Sequence, residues 1–146
     1  MKMKPTILRR QTIQREAILE ELKRIKTHPT ADGIFTLVRK RIPAITFGTV
    51  YRNLNLLRDA GKILELTCGR YSCRYDGDAS QHYHFFCLKC KKVFDACIPA
   101  IEDLDKKVSQ KLKFQVKYHR IEFYGYCQKC KAKFKQLNLP MAVGLK

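Results

Sequence analysis

Residues 46–61 read TFGTVYRNLNLLRDAG. Thr46 is by type a helix N-cap, and Gly61 suits the residue just past a helix end, where the backbone turns left-handed. Between them Phe47, Val50, Leu54 and Leu57 recur at three- and four-residue steps. They are the expected buried stripe of a helix that runs to about residue 60. The other side presents Gly48, Thr49, Tyr51, Arg52 and Asn55, with Arg58 one turn further on. Such groups donate, accept and touch thymine methyls, which is what reading base edges in a major groove requires. Any amphipathic helix has a polar side, so the neighbouring segments must separate the two readings.

Upstream, Ile13, Ala17, Ile18, Leu22 and Ile25 predict an amphipathic helix over 11–27, stopped by His28 and Pro29. Thr30 predicts the cap of a second helix over 31–41, with Ile34, Leu37, Val38 and Ile42 on its face and Pro43 as its stop. Downstream, residues 63–67, a Cys68-Gly69 turn and residues 70–75 read as a β-hairpin. Three short helices and a hairpin make a winged helix-turn-helix pattern, in which the third helix enters the major groove and the hairpin leans on the backbone. The charge agrees. The 146 residues carry 30 Lys and Arg against 13 Asp and Glu, a formal net charge of +17, and ten of the eleven arginines precede Asp76. Guanidinium suits forked contacts to phosphate and guanine; the plain alternative is a solvated basic face. A 45% apolar fraction with 8 Phe and 7 Tyr argues against disorder. No apolar run nears the ~20 residues that span a bilayer, and the basic start lacks a signal-like apolar stretch. A cytoplasmic protein with no membrane partner is expected.

After Asp76 lysine replaces arginine, and His and Cys cluster. Residues 84–88 and 92–96 read as strands flanking Cys87-Leu88-Lys89-Cys90. Pro99 reads as the first residue of a helix through Ile101, Leu104, Val108 and Leu112. The alternation over 114–126 reads as a long strand, and the tail from 136 has no periodicity and is expected to be poorly ordered. In a reducing compartment, Cys87/Cys90 and Cys127/Cys130 read as metal ligands before disulfides. Four thiolates close a tetrahedral site with no open position, the signature of a structural Zn²⁺, whereas two independent redox pairs would want a thioredoxin-like setting that the sequence lacks. His82-Tyr83-His84 places two imidazoles on one face of a strand, with Asp76 and Asp95 on neighbouring segments. Such nitrogen and carboxylate donors suit Fe²⁺, Mn²⁺ or Zn²⁺, although a histidine pair on a strand is also a common surface feature. A zinc-dependent hydrolase built on His82, His84 and Asp95 is the distant alternative, against which stands the lack of a recognisable general base. A plain zinc-ribbon nucleic-acid module is another. Cys68, Cys73 and Cys97 fall outside both groups and are expected to be small buried or incidental thiols.

Taken in order, His28-Pro29-Thr30-Ala31-Asp32, residues 48–54 (GTVYRNL), Arg74-Tyr75-Asp76, His82-Tyr83-His84, Cys87-x-x-Cys90, and residues 120–125 (RIEFYG) before Cys127-x-x-Cys130 resemble the ferric uptake regulator superfamily. The resemblance implies an α+β fold. Its parts are an N-terminal winged helix-turn-helix domain (1–75), a hinge (76–81), a mixed αβ dimerisation domain with a four-cysteine zinc site (82–135) and a tail (136–146). It implies a homodimeric, metal-dependent repressor, not an enzyme, bound to a palindromic double-stranded operator. Within the superfamily the ligand types resemble the peroxide-responsive branch, whose regulatory Fe²⁺ or Mn²⁺, one per subunit beside one structural Zn²⁺, corresponds here to His28, Asp76, His82, His84 and Asp95. In that branch oxidation of a ligand histidine releases DNA. Asp rather than Glu at 95 favours this branch over the iron, zinc and manganese uptake regulators. A second site seen in other members would need positions 81, 83, 102 and 119; Glu102 and His119 match, Gln81 and Tyr83 do not, which implies that it is absent or crippled.

Overall fold

A computed structural model describes residues 4–66 and 72–136. The chain divides into two compact units, residues 1–81 and 82–146. In the first unit, helices α1 (Lys4–Arg24), α2 (Ala31–Arg41) and α3 (Phe47–Asp59) are followed by an antiparallel pair, β1 (Leu64–Leu66) and β2 (Arg74–Asp76), in register Leu64↔Asp76 and Leu66↔Arg74. The predicted Cys68-Gly69 turn lies outside the described residues.

Local chemistry sets the helix ends. The Thr30 hydroxyl accepts from the Gly33 N–H at 3.3 Å, and the Thr46 hydroxyl from the Thr49 N–H at 3.2 Å, each replacing a missing helical bond. Gly61, at φ +64°, takes the left-handed turn just past α3. Thr46→Ala is expected to cost about 1 kcal/mol of stability, read by urea denaturation. Ile18, Ile34, Val38, Val50 and Leu54 are fully buried where the three helices meet, with Ile63 and Tyr75 closing the core from the hairpin side. Each such aliphatic side chain stabilises the fold by roughly 1.5–3 kcal/mol. Burial also pushes the Tyr75 phenol up to about 12, so it stays neutral.

Three expectations change here. The first helix spans Lys4–Arg24 rather than 11–27, its last turn tightened by the Ile25 N–H bonding back to the Leu22 carbonyl at 3.3 Å, with left-handed His28 (φ 49°) beyond it. Ile13, expected on its buried face, is 50% exposed, and Gln14 is buried instead. Phe47 is not in the core: it is 41% exposed, and the fourth buried place on α3 goes to Asn53. Helical side chains lean back over the preceding turn, and Phe47, as the first helical residue, has none. Its ring instead meets Phe35 edge-on at 5.8 Å and stacks on Tyr51 at 6.4 Å. The Asn53 amide donates to the Thr49 carbonyl at 2.8 Å and its oxygen accepts from Arg15 at 3.3 Å.

The second unit is a three-stranded sheet ordered β4-β3-β5, built from β3 (His84–Cys87), β4 (Val93–Asp95) and β5 (Glu122–Gly125), with helices α4 (Leu104–Leu112) and α5 (Gln128–Gln136). β3 runs antiparallel to β4 and parallel to β5, with His84 opposite Asp95 and Cys87 opposite Gly125. Pro99 does not begin a helix. Asp103 is left-handed (φ 59°), which interrupts any helical path from 99, and α4 starts only after it. The long strand over 114–126 shrinks to β5. Lys113 is left-handed, Phe114 and Tyr118 are 70% and 71% exposed, and Val116 donates to the Ser109 hydroxyl at 3.1 Å instead of to a strand. α5 was hidden in the sequence because Lys129, Lys131, Lys133 and Lys135 leave no apolar stripe.

Candidate metal centres

Parallel pairing is what gathers the four cysteines. With Cys87 opposite Gly125, the C-terminal ends of β3 and β5 lie side by side, so Cys87 and Cys127 meet at one end of the sheet. Cys90 follows in the β3–β4 turn, where left-handed Lys91 returns its N–H to the Cys87 carbonyl at 2.9 Å. Cys130 follows in the first turn of α5, whose opening bond runs from the Lys131 N–H to the Cys127 carbonyl at 2.8 Å. All four sulfurs lie within 4.8 Å of one another, with Cys90 and Cys127 3.9 Å apart. A tetrahedral zinc with bonds of about 2.3 Å needs sulfur separations of roughly 3.8 Å, so the donor set fits. Burial raises the Cys87 thiol, but the backbone N–H groups of Cys127, Cys90 and Lys89 outweigh it and hold the thiol down to about 6. Burial and the neighbouring thiols push Cys130 up to about 12.

At the start of β3, His84 and, just ahead of the strand, His82 flank Asp95 of β4. The imidazole Nε2 atoms lie 3.4 and 3.8 Å from the Asp95 carboxylate, and the ring centroids are 4.4 Å apart. His84 is buried, while His82 and Asp95 are partly open. Two nitrogens and a carboxylate with no sulfur suit a borderline or hard divalent ion.

The first unit carries its own pair. His28 Nε2 lies 3.2 Å from Asp76 Oδ2, both groups buried. Residues 28–30 run beside β2: Tyr75 donates to the Pro29 carbonyl at 3.0 Å, Thr30 bridges Arg74, and the Arg74 guanidinium donates to the His28 carbonyl at 2.9 Å. These bonds hold His28 in its left-handed conformation, the kind of backbone strain that persists only where surroundings over-determine it. Asp76 is fixed from the other side, its Oδ1 accepting from the Asp78 N–H at 2.8 Å. Between them Gly77 passes so close to α1 that a Cβ would sit 2.6 Å from the Leu22 carbonyl carbon and the Lys23 nitrogen. Gly77→Ala is expected to cost about 1–3 kcal/mol, because only backbone can give way there, and to move Asp76; equilibrium unfolding checks the first part. Sequence reasoning missed both Arg74 and Gly77 as positioning residues, since neither carries a spacing signal.

On α3, Tyr51 and Arg52 are exposed and Thr49 and Asn55 half-buried or open, the Thr49 hydroxyl lying 2.9 Å from that of Thr46. Arg58 is held by Glu65 of β1 at 2.5 Å and by Asp59 at 2.9 Å, which raises its pKa further and lowers that of Glu65. Cys73 is half-buried and Cys97 exposed, outside the four-sulfur cluster; Cys68 lies outside the described residues. No helix among the described residues is long and apolar enough to cross a membrane.

Residues 8–124 match the model of the ferric uptake regulator family. The chain is 40% identical over 122 residues to the Peroxide operon regulator of Bacillus subtilis, covering 84% of each protein, and 38% identical over 120 residues to the peroxide-responsive repressor PerR of Staphylococcus epidermidis, covering 82% of this chain and 80% of the relative. Among solved structures, the Campylobacter jejuni peroxide stress regulator superposes with a TM-score of 0.75 at 27% identity, over 89% of this chain and all of that one. The Helicobacter pylori ferric uptake regulator, described as having three functional metal binding sites, gives 0.68 at 28% identity over 81% and 79%. Members of this family are transcription regulators, which sets the hydrolase reading aside. With a matching family model over most of its length, a helix-turn-helix with a hairpin and a four-cysteine cluster, the chain belongs to the ferric uptake regulator family.

Proposed function

We propose that this protein is a homodimeric, metal-dependent transcriptional repressor of the cytoplasm that releases a palindromic operator in response to peroxide. The observation that carries the reading is Asp95 set between His82 and His84 in a chain 40% identical to a protein named Peroxide operon regulator. His28, Asp76, His82, His84 and Asp95 would together hold one Fe²⁺ or Mn²⁺, and Cys87, Cys90, Cys127 and Cys130 one Zn²⁺. Ferrous iron, when bound, supplies the reduction of peroxide, and manganese does not do so readily. The chain's own part is to aim donors and to lose one. Three imidazoles hold the ion only while their ring nitrogens stay basic, so oxidation of His28 or His82 weakens the site. Because donors come from both units, occupancy is tied to the presentation of α3. Dimerisation has surface available in the second unit, where Ile98, Ile101, Leu112, Phe114 and Tyr118 are exposed and α4 buries no residue.

On DNA we propose Thr49, Tyr51, Arg52, Asn55 and Arg58 as contacts. The test is to select operator DNA from a random pool with Mn²⁺-loaded protein, and then to follow its release by the Fe²⁺ form under peroxide. Arg52→Ala should weaken that selected site by about 10–100-fold and random DNA far less, because a groove contact specifies where a phosphate contact only positions. Equal losses in a gel-shift series would make Arg52 a phosphate contact.

A further inference from the structure

Just ahead of β3, the residue between the two histidines points the other way. Tyr83 is 2% exposed, and its hydroxyl is met from two sides: it accepts from the Ile101 N–H at 2.7 Å and lies 2.9 Å from His119 Nε2. The other ring nitrogen, His119 Nδ1, lies 2.9 Å from Asp105 Oδ1 in the first turn of α4. For a neutral imidazole one arrangement satisfies all three contacts. The phenol donates to Nε2, and Nδ1–H donates to the carboxylate. Phe123 of β5 closes edge-on against the Tyr83 ring at 6.4 Å. This chain of bonds ties the 98–103 segment, α4 and the 113–121 segment to the central strand. α4 itself has no buried residue. Asp105 and His119 belong to no group of three or more His, Cys, Asp or Glu side chains among the described residues that could hold an ion.

The geometry points to Tyr83, His119 and Asp105 as an ion-free clamp that fixes β3 from behind and so positions His82 and His84. The Tyr83 carbonyl accepts from the Ala96 N–H at 2.8 Å, which carries the β3–β4 pairing one residue ahead of the strand, so what grips the Tyr83 side chain sets the backbone from which the two neighbouring imidazoles project on the other side. The hydroxyl does here, by hydrogen bonds, what a further cation between His119 and its neighbours would do by coordination. The chain therefore takes up no ion at His119. Tyr83 and His119 are positioning residues, with no contact to the bound ion. The inference rests on the proposed regulatory centre for one of its two readouts only.

The experiment uses the full chain with Tyr83→Phe, which keeps the ring, His119→Gln, which keeps a polar group, and the double variant. Mn²⁺ titration should show each single variant binding about 10-fold more weakly, as loss of a supporting hydrogen bond does at metal sites. Zinc should stay at one per subunit, and the double variant should be no worse than the weaker single, because both break one chain. In the metal-free proteins, diethylpyrocarbonate should modify His82 and His84 faster in Tyr83→Phe than in the parent. Unchanged Mn²⁺ affinity with unchanged modification rates overturns the clamp, as does an ion in the parent that is lost in His119→Gln. A parent that binds no Mn²⁺ sinks the regulatory centre instead, and the modification rates still decide the clamp: faster modification supports it and equal rates overturn it.

Discussion

Cys90→Ser or Cys130→Ser should lose one zinc per subunit and, with it, the folded second unit and the dimer. Only five apolar residues of that unit are buried among those described, namely Tyr83, Phe86, Cys87, Val93 and Cys130, and two of them are cluster cysteines. A core so small cannot offset the ordering entropy of some fifty residues at roughly 1–2 kcal/mol each for the backbone alone. Zinc binding in comparable small units supplies about 10–16 kcal/mol, of the order of a whole domain's stability. Elemental analysis with sedimentation checks this, and a stable, zinc-free dimer in either variant would refute it. Acid should do the same reversibly. The thiolates must be deprotonated to bind, and the Cys87 thiol is held down to about 6, below its ordinary value. Protons compete with zinc for these thiolates, and bound zinc holds them deprotonated further still, so zinc release to a chromogenic chelator should rise as pH falls below the free-thiol value.

The second large effect is on DNA release. The Fe²⁺-loaded protein should gain one oxygen on His28 or His82 under mild peroxide and lose about 5–150-fold in operator affinity, the usual range of coupling between sites. The Mn²⁺-loaded protein should gain none and stay bound. Asp95→Glu keeps the charge and donor type but lengthens the arm by one methylene. Since the Asp95 carboxylate sits 3.4 Å from His82 and 3.8 Å from His84, that length shifts the oxygen without removing it. The variant should keep Mn²⁺-dependent DNA binding and gain much less oxygen. Peptide mass spectrometry and gel shift read both. If the ferrous parent stays unmodified and bound to its operator, the chain is an iron, zinc or manganese sensor even with every ligand named correctly.

The first unit was legible because its signals are local. Thr30 and Thr46 cap the helices they precede in sequence, and Gly61 ends α3 with a positive φ. Apolar residues at three- and four-residue steps are buried on α2 and α3. The one misplaced member on α3, Phe47, sits at a helix end, where periodicity no longer says which way a side chain leans. In the second unit the same reasoning went wrong at Pro99 and over 114–126. Asp103 and Lys113 take left-handed conformations that their residue types do not announce, and of the alternating apolar residues after 113, Phe114 and Tyr118 lie exposed among the described residues.

By itself, then, the sequence determined the two helix caps, most members of the buried stripes, the Cys-x-x-Cys spacing and the period of two between His82 and His84. All of these follow from bonds and periods spanning a few residues. The tertiary structure alone decided which distant pairs meet. The parallel register of β3 and β5 gathers two cysteine pairs with 36 residues between them in sequence. The antiparallel register of β3 and β4 sets His84 opposite Asp95, and the approach of residue 77 to α1 leaves room only for glycine beside Asp76. Tyr83, which the sequence marked only as a mismatch at a second metal site, acquires its partners when residues 101 and 119 are folded against it. Contacts of that kind depend on strand order and crossover. These are set by how the whole unit buries its apolar surface and satisfies its polar groups, and no local pattern encodes them.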